Sequence, residues 1–165
     1  MTPITPDFPD THATLLIPGP AGALEVAVDF PEPAEARRGL AVVCHPNTPD
    51  GGTMNNKVVT MLSRALTEHG LTVVRFNFRS AGASEGAFDN GRGEVLDLLA
   101  VANWARKARP DDALWLAGFS FGSWVALMGA RQLPVAQMIS VAPPVGLRDF
   151  AGVLAAIAVC YWFFG

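Results

Sequence analysis

Five residues in the middle of the chain have the types and spacing for acyl-transfer chemistry: Gly118-Phe119-Ser120-Phe121-Gly122. A serine flanked two residues away on each side by glycine fits a sharp strand-to-helix turn. Larger side chains at the glycine positions would strike the neighbouring strand and helix. The apolar run Ala113 to Ala117 leads directly into the motif, and a helical pattern with Trp124, Val125 and Met128 on one face follows it. Ser120 is therefore expected at a helix N-terminus, where unpaired N–H groups and the helix dipole favour negative charge. That is the setting a serine nucleophile needs. The alternative is an N-capping serine with packing glycines.

Such a nucleophile needs two N–H donors aimed at the oxyanion it creates. One is expected from the residue after the serine, Phe121. The second is expected from the loop after the apolar run Leu40 to Cys44. That loop begins His45-Pro46-Asn47, and because proline has no N–H, Asn47 is the candidate. A plain turn is the competing reading of those three residues.

A nucleophilic serine also needs a base. The chain has three histidines, His12, His45 and His69. His45 ends a strand near the nucleophile and could serve as a substitute base, although a loop-shaping role is the simpler expectation. His12 falls in the N-terminal arm and His69 at a helix end. The residues after Ser120 include no histidine and one acid, Asp149, which reads as a loop or capping residue. Glu85, in the glycine-rich stretch Ser80 to Gly91, reads as a solvated turn residue, and that stretch as a loop over the rim of the site.

The elements that would position these groups alternate. Ala13 to Ile17 and Ala23 to Phe30, joined by Gly19-Pro20-Ala21-Gly22, form a hairpin pattern. Leu40 to Cys44 reads as a buried strand. Val58, Met61, Leu62, Ala65, Leu66 and His69 give a helix stopped at Gly70. Leu71 to Phe78 reads as a strand, and Val95, Leu98, Leu99 and Ala102 mark a helix ending before Pro110. Ala113 to Ala117 and Val135 to Ala142 are further strands. A short helix over 150–157 and a last strand, Val159 to Phe164, complete the pattern. A hairpin followed by alternating strands and helices predicts a mainly parallel sheet covered on both faces, in one domain over residues 1–165.

Composition agrees. Half of the 165 residues are hydrophobic and 16% are charged, against a usual charged fraction of about 25%. The net charge of −3 and the lack of a Lys/Arg run argue against nucleic acid and against an anionic membrane surface. The uncharged stretch from Phe150 to Gly165 falls short of the roughly 20 residues of a spanning helix. The N-terminus does not read as a signal peptide. Cys44 and Cys160 sit in apolar runs, as free buried thiols would in a cytoplasmic protein. No ligand spacing points to a metal, and no phosphate-binding motif to a cofactor.

Several blocks together resemble a small bacterial α/β-hydrolase family related to the dienelactone-hydrolase and serine-aminopeptidase groups. They are His45-Pro46, Gly51-Gly52-Thr53-Met54 with Asn56-Lys57-Val58-Val59, Arg75-Phe76-Asn77-Phe78-Arg79, Gly82 with Ser84-Glu85-Gly86, the Ser120 motif, and Val141-Ala142-Pro143-Pro144. The resemblance covers the middle hundred residues or so. It implies a serine hydrolase of a small-molecule ester or related acyl bond, with Ser120 acylated. In this fold the acid and then the histidine follow the nucleophile. The expectation is that the fold is incomplete here, ending at Gly165 before both loops. The competing reading is a catalytically incomplete chain that keeps the pocket and acts in binding or assembly. The strand Val159 to Phe164 would then lie at a sheet edge and could pair two copies into a homodimer.

Overall fold

The computed structural model describes residues 5–150. The sequence-predicted helix over 150–157, the last strand, Cys160 and the edge-strand dimer lie outside those residues.

Among the described residues, six strands form one sheet: β1 (Ala13–Gly19), β2 (Gly22–Asp29), β3 (Gly39–Cys44), β4 (Thr72–Phe76), β5 (Ala113–Phe119) and β6 (Val135–Val141). Within the same residues three α-helices alternate with the later strands: α1 (Lys57–Glu68), α2 (Arg92–Ala108) and α3 (Phe121–Ala130). The strand order is β1-β2-β4-β3-β5-β6. β1 and β2 form the antiparallel hairpin, and β2 joins β4 antiparallel. β4, β3, β5 and β6 run parallel, as the alternation of strand and helix predicts.

The central strand shows why these residues make a two-sided sheet. All six residues of β3 are buried. Leu40, Val42 and Cys44 face a core shared with Leu98, Val101 and Val125 of α2 and α3. Ala41 and Val43 face Val59 and Leu66 of α1 on the other side. A strand covered on both faces needs a continuous apolar run, and the period of two sends alternate residues into separate layers.

Two helix faces differ from the sequence-based expectation. On α1 the buried residues are Val59, Ser63 and Leu66, while Met61 is 60% exposed. Ser63 is inside because its hydroxyl donates to Asp29 Oδ2 at 2.7 Å, so the buried face is rotated from the one the apolar residues suggest. On α2 the buried set includes Glu94 and Asp97. Asp97 pairs with Arg79, with Nη2 to Oδ1 at 2.8 Å, and also accepts the Arg79 backbone N–H at 2.9 Å. Glu94 caps its own helix by accepting the N–H groups of Asp89 and Gly91.

Candidate active site

Parallel strands bring their C-terminal ends, and the loops after them, to one edge of the sheet, and the candidate site forms there. β5 ends at Phe119, Ser120 follows, and α3 begins at Phe121. Ser120 has φ 52° and ψ −120°, a region that side chains other than glycine rarely enter. The backbone holds it there. Its N–H donates to the Val141 carbonyl at 2.9 Å, and its own carbonyl accepts from the Ser123 N–H at 2.9 Å and the Ser123 hydroxyl at 2.6 Å.

The two glycines of the motif are required by close approach. A Cβ on Gly118 would lie 2.4 Å from the Gly122 carbonyl oxygen, and one on Gly122 would lie 2.3 Å from the Cys44 carbonyl oxygen. Both obstacles are backbone, which cannot swing aside. The turn therefore packs α3 directly onto the end of β3, next to the loop that carries Asn47.

Asn47 is fixed by that loop. Its carbonyl accepts the N–H groups of Asp50 (3.1 Å) and Gly52 (3.0 Å), and its Nδ2 donates to Asp50 Oδ2 at 2.9 Å. Asn47 Oδ1 is buried with no partner among the described residues. The Asn47 and Phe121 N–H groups likewise donate to no described residue. Asn47, Ser120 and Phe121 line one cleft of about 330 Å³ together with Asp50, Asn90, Pro144, Leu147 and Arg148. The three residues singled out from sequence are thus brought together.

Arg148 and Asn90 were not legible in the sequence as site residues. The guanidinium lies 5.0 Å from the ring centres of both Phe121 and Trp124, and it donates to the Asn90 carbonyl (2.8 Å) and Oδ1 (3.0 Å). The faint signal was that Arg148 is the one cation in the sequence after Arg131.

None of the histidines is placed to serve Ser120. His45 is fully buried. Its Nε2 accepts the Phe78 N–H at 3.0 Å and its Nδ1 donates to the Pro46 carbonyl at 2.6 Å, so the ring is neutral with both nitrogens engaged. Burial holds its pKa down to about 4, against a smaller opposing effect of the Pro46 carbonyl. The structure thus turns away the idea of His45 as a substitute base: it ties the end of β3 to the segment after β4. His69 caps the C-terminus of α1 beside Trp115. His12 pairs with Asp29 at 2.7 Å.

The acids are accounted for in the same way. Glu85 Oε2 accepts the Ala23 N–H at 2.7 Å. Ser84 Oγ donates to the Asn77 carbonyl and accepts the Glu25 N–H. The first half of the glycine-rich loop is therefore fastened to the hairpin rather than spread over the site. Its Asn90 end alone lines the cleft. Asp149 is exposed and is not among the cleft residues; its carbonyl accepts the Trp124 indole N–H at 3.0 Å.

A larger cleft of about 370 Å³, between α1 and strands β2 and β4, holds His12, Asp29, Ser63 and Arg75. Its polar groups satisfy one another. Asp29 accepts from Ser63 and Arg75 and pairs with His12. Ser63 is bonded to the acid and not to the histidine, the wrong order for activating a hydroxyl. Among the described residues no three His, Cys, Asp or Glu side chains gather as a metal site would need, and no helix is long and apolar enough to cross a membrane.

Residues 41–158 match the family model for the alpha/beta hydrolase fold. The chain belongs to the α/β-hydrolase family. Among solved structures of the family, it is similar to a lidless α/β serine hydrolase of Xanthomonas campestris, with 56% identity and a TM-score of 0.88 over 90% of this chain and 68% of that one. It is also similar to an α/β serine hydrolase homologue of Coxiella burnetii, with 47% identity and a TM-score of 0.87 over 93% of this chain and 74% of that one. An uncharacterized protein of Rickettsia prowazekii is 37% identical over 129 residues, 77% of this α/β hydrolase. The chain spans 53% of that curated relative's length.

Proposed function

We propose that the chain is a serine hydrolase acting on a small ester or related acyl bond through an acyl-enzyme on Ser120. The reading rests on one observation: Ser120 is held at positive φ in a cleft lined also by Asn47 and Phe121, whose N–H groups have no acceptor among the described residues. In the reaction the Ser120 Oγ attacks the ester carbonyl carbon as its proton passes to a base. The oxygen of the tetrahedral intermediate takes the Phe121 and Asn47 N–H groups. Collapse expels the alcohol, which takes the proton back from the base; water then gives a proton to the same base, attacks the acyl-enzyme carbonyl and releases the acid, and Ser120 Oγ regains its proton.

The base is not one of the three histidines of the sequence, which are all engaged away from Ser120. The competing reading, a chain that keeps the cleft for binding or assembly, is favoured by the same lack of a base among the described residues. A cytoplasmic setting fits Cys44, a buried free thiol.

Fluorophosphonate labelling separates the two readings. Without a base a triad enzyme retains a residual rate of about 10³ to 10⁴ over water. The expected result is slow labelling confined to Ser120 and abolished in Ser120→Ala. Labelling at another residue, or none after prolonged exposure, would overturn the nucleophile assignment. Fast stoichiometric labelling of the 165-residue chain would overturn the claim that the base is absent.

A further inference from the structure

We propose that Arg148 forms an anion subsite beside Ser120, so that the ester this chain takes carries a carboxylate close to its scissile bond. The inference rests on the hydrolase reading above and narrows its substrate class.

Arg148 is held in place by contacts that leave its charge unspent. Four other arginines, Arg64, Arg75, Arg79 and Arg109, each pair with a carboxylate. Arg37, Arg38, Arg92 and Arg131 are exposed, and the half-buried Arg106 donates to Asn103 Oδ1 in a cleft away from Ser120. Arg148 is half-buried, lines the same cleft as Ser120, and has no carboxylate partner among the described residues. Its two hydrogen bonds go to neutral acceptors, the carbonyl and Oδ1 of Asn90. A guanidinium has five N–H donors, so donors remain for a ligand.

The surroundings fix the fork. Its central carbon lies 5.0 Å from the ring centres of Phe121 and Trp124. Aromatic faces attract a guanidinium and restrict its plane. Asn90 holds one side of it. A planar cation fixed on one side, with free donors on the other, matches a carboxylate bidentately and loses little conformational freedom on binding. Asp50, the acid in the cleft, is exposed and engaged by Asn47 Nδ2. Its pairing with Asn47 leaves Arg148 available. Arg148 stacks on Phe121 and lines the same cleft as Ser120, so an anion held on it shares that cleft with the nucleophile.

The test is binding, in Ser120→Ala, so that no turnover is needed. The probes are the monophenyl ester of succinic acid, an anion, and its neutral methyl phenyl diester. The ¹⁵N–¹H signal of the Trp124 indole, whose Nε1–H donates to the Asp149 carbonyl, reports on the cleft. The expected result is binding of the monoester at least about tenfold tighter than the diester, since hydrogen bonds to charged groups are the stronger class. The preference should weaken with added salt. It should vanish in Arg148→Gln and survive in part in Arg148→Lys, which keeps the charge without the planar fork. If Arg148 merely clamps its loop, Arg148→Gln weakens both probes alike and leaves their ratio unchanged. An unchanged ratio in that variant, no preference in the parent, or no binding of either probe overturns the proposal. Its failure is distinct from that of the hydrolase reading. Preference for the anion without fluorophosphonate labelling at Ser120 keeps the subsite and removes the enzyme. Labelling without preference does the reverse.

Discussion

At the residue scale, the cost of the site is concentrated in Ser120. A non-glycine residue at φ 52° and ψ −120° stores about 1 to 3 kcal/mol of backbone strain. The strain is stable because hydrogen bonds on both sides of the residue and two glycine contacts leave the turn no alternative. Ser120→Gly should therefore stabilise the fold by about 1 to 2 kcal/mol, while Ser120→Ala, which keeps a Cβ, should leave stability nearly unchanged. Both should lose fluorophosphonate labelling. Urea unfolding followed by tryptophan fluorescence measures the difference, and a Gly variant no more stable than the Ala variant would show that the turn is unstrained. That Ser120, Phe121 and Asn47 would lie together was legible because a turn with glycines at fixed offsets, and a strand ending in His-Pro-Asn, carry their geometry in local sequence. Arg148 was not. A single arginine in a loop has no period, and its contacts with Phe121, Trp124 and Asn90 join residues far apart in the chain.

At the scale of elements, the helices divide into what periodicity reveals and what it hides. That α1, α2 and α3 exist, and roughly where they stop, follows from apolar spacing and breakers such as Gly70 and Pro110. Which face is buried does not follow when polar residues occupy it. Asp97 is the clearest case: its side chain is fully buried, accepts from the backbone and guanidinium of Arg79, and locks α2 to the segment after β4. Burial alone would lower the Arg79 pKa. The Asp97 hydrogen bonds, with the Asp97, Glu94 and Asp89 charges, more than offset this and raise it. Removing one partner leaves a buried charge alone, so Asp97→Ala should cost about 3 to 5 kcal/mol. Replacing both, as in Arg79→Met with Asp97→Leu, should cost much less than Asp97→Ala. A double variant as unstable as Asp97→Ala would mean that the pair matters for more than mutual neutralisation. Phe78 precedes Arg79 and its ring packs against Phe121, so the lost stability should be accompanied by slower Ser120 labelling.

At the scale of the molecule, strand–helix alternation predicted a parallel sheet with helices on both faces, but not the strand order. The place of β4 between β2 and β3 is fixed by contacts distant in sequence, such as Val28 opposite Val74 and Val42 opposite the same residue. His45 sits where these strands meet the site, and its two hydrogen bonds join the loop after β3 to the segment after β4. That position makes it a monitor of the whole fold. Buried and neutral, it has a pKa lowered from 6.5 to about 4, whereas in the unfolded chain it titrates normally. Between those values the unfolded state binds a proton that the native state refuses, so stability rises with pH across this window and is lost as pH falls through it. The shift corresponds to about 3 kcal/mol, fully present above pH 6.5. Asp29 acts in a lower window. Burial would raise its pKa, but hydrogen bonds from Arg75 and Ser63 and the charges of Arg75 and His12 outweigh that and hold it below 3.8. Its contribution is therefore lost only as pH falls past that value. Unfolding free energies measured by urea titration from pH 7 to pH 4 should fall in the parent. In His45→Gln, where an amide oxygen can still accept the Phe78 N–H, most of that slope should disappear, with a stability at pH 7 no higher than the parent's. An unaltered slope in the variant would move the acid sensitivity away from His45 and show that the imidazole gains its proton without unfolding the chain.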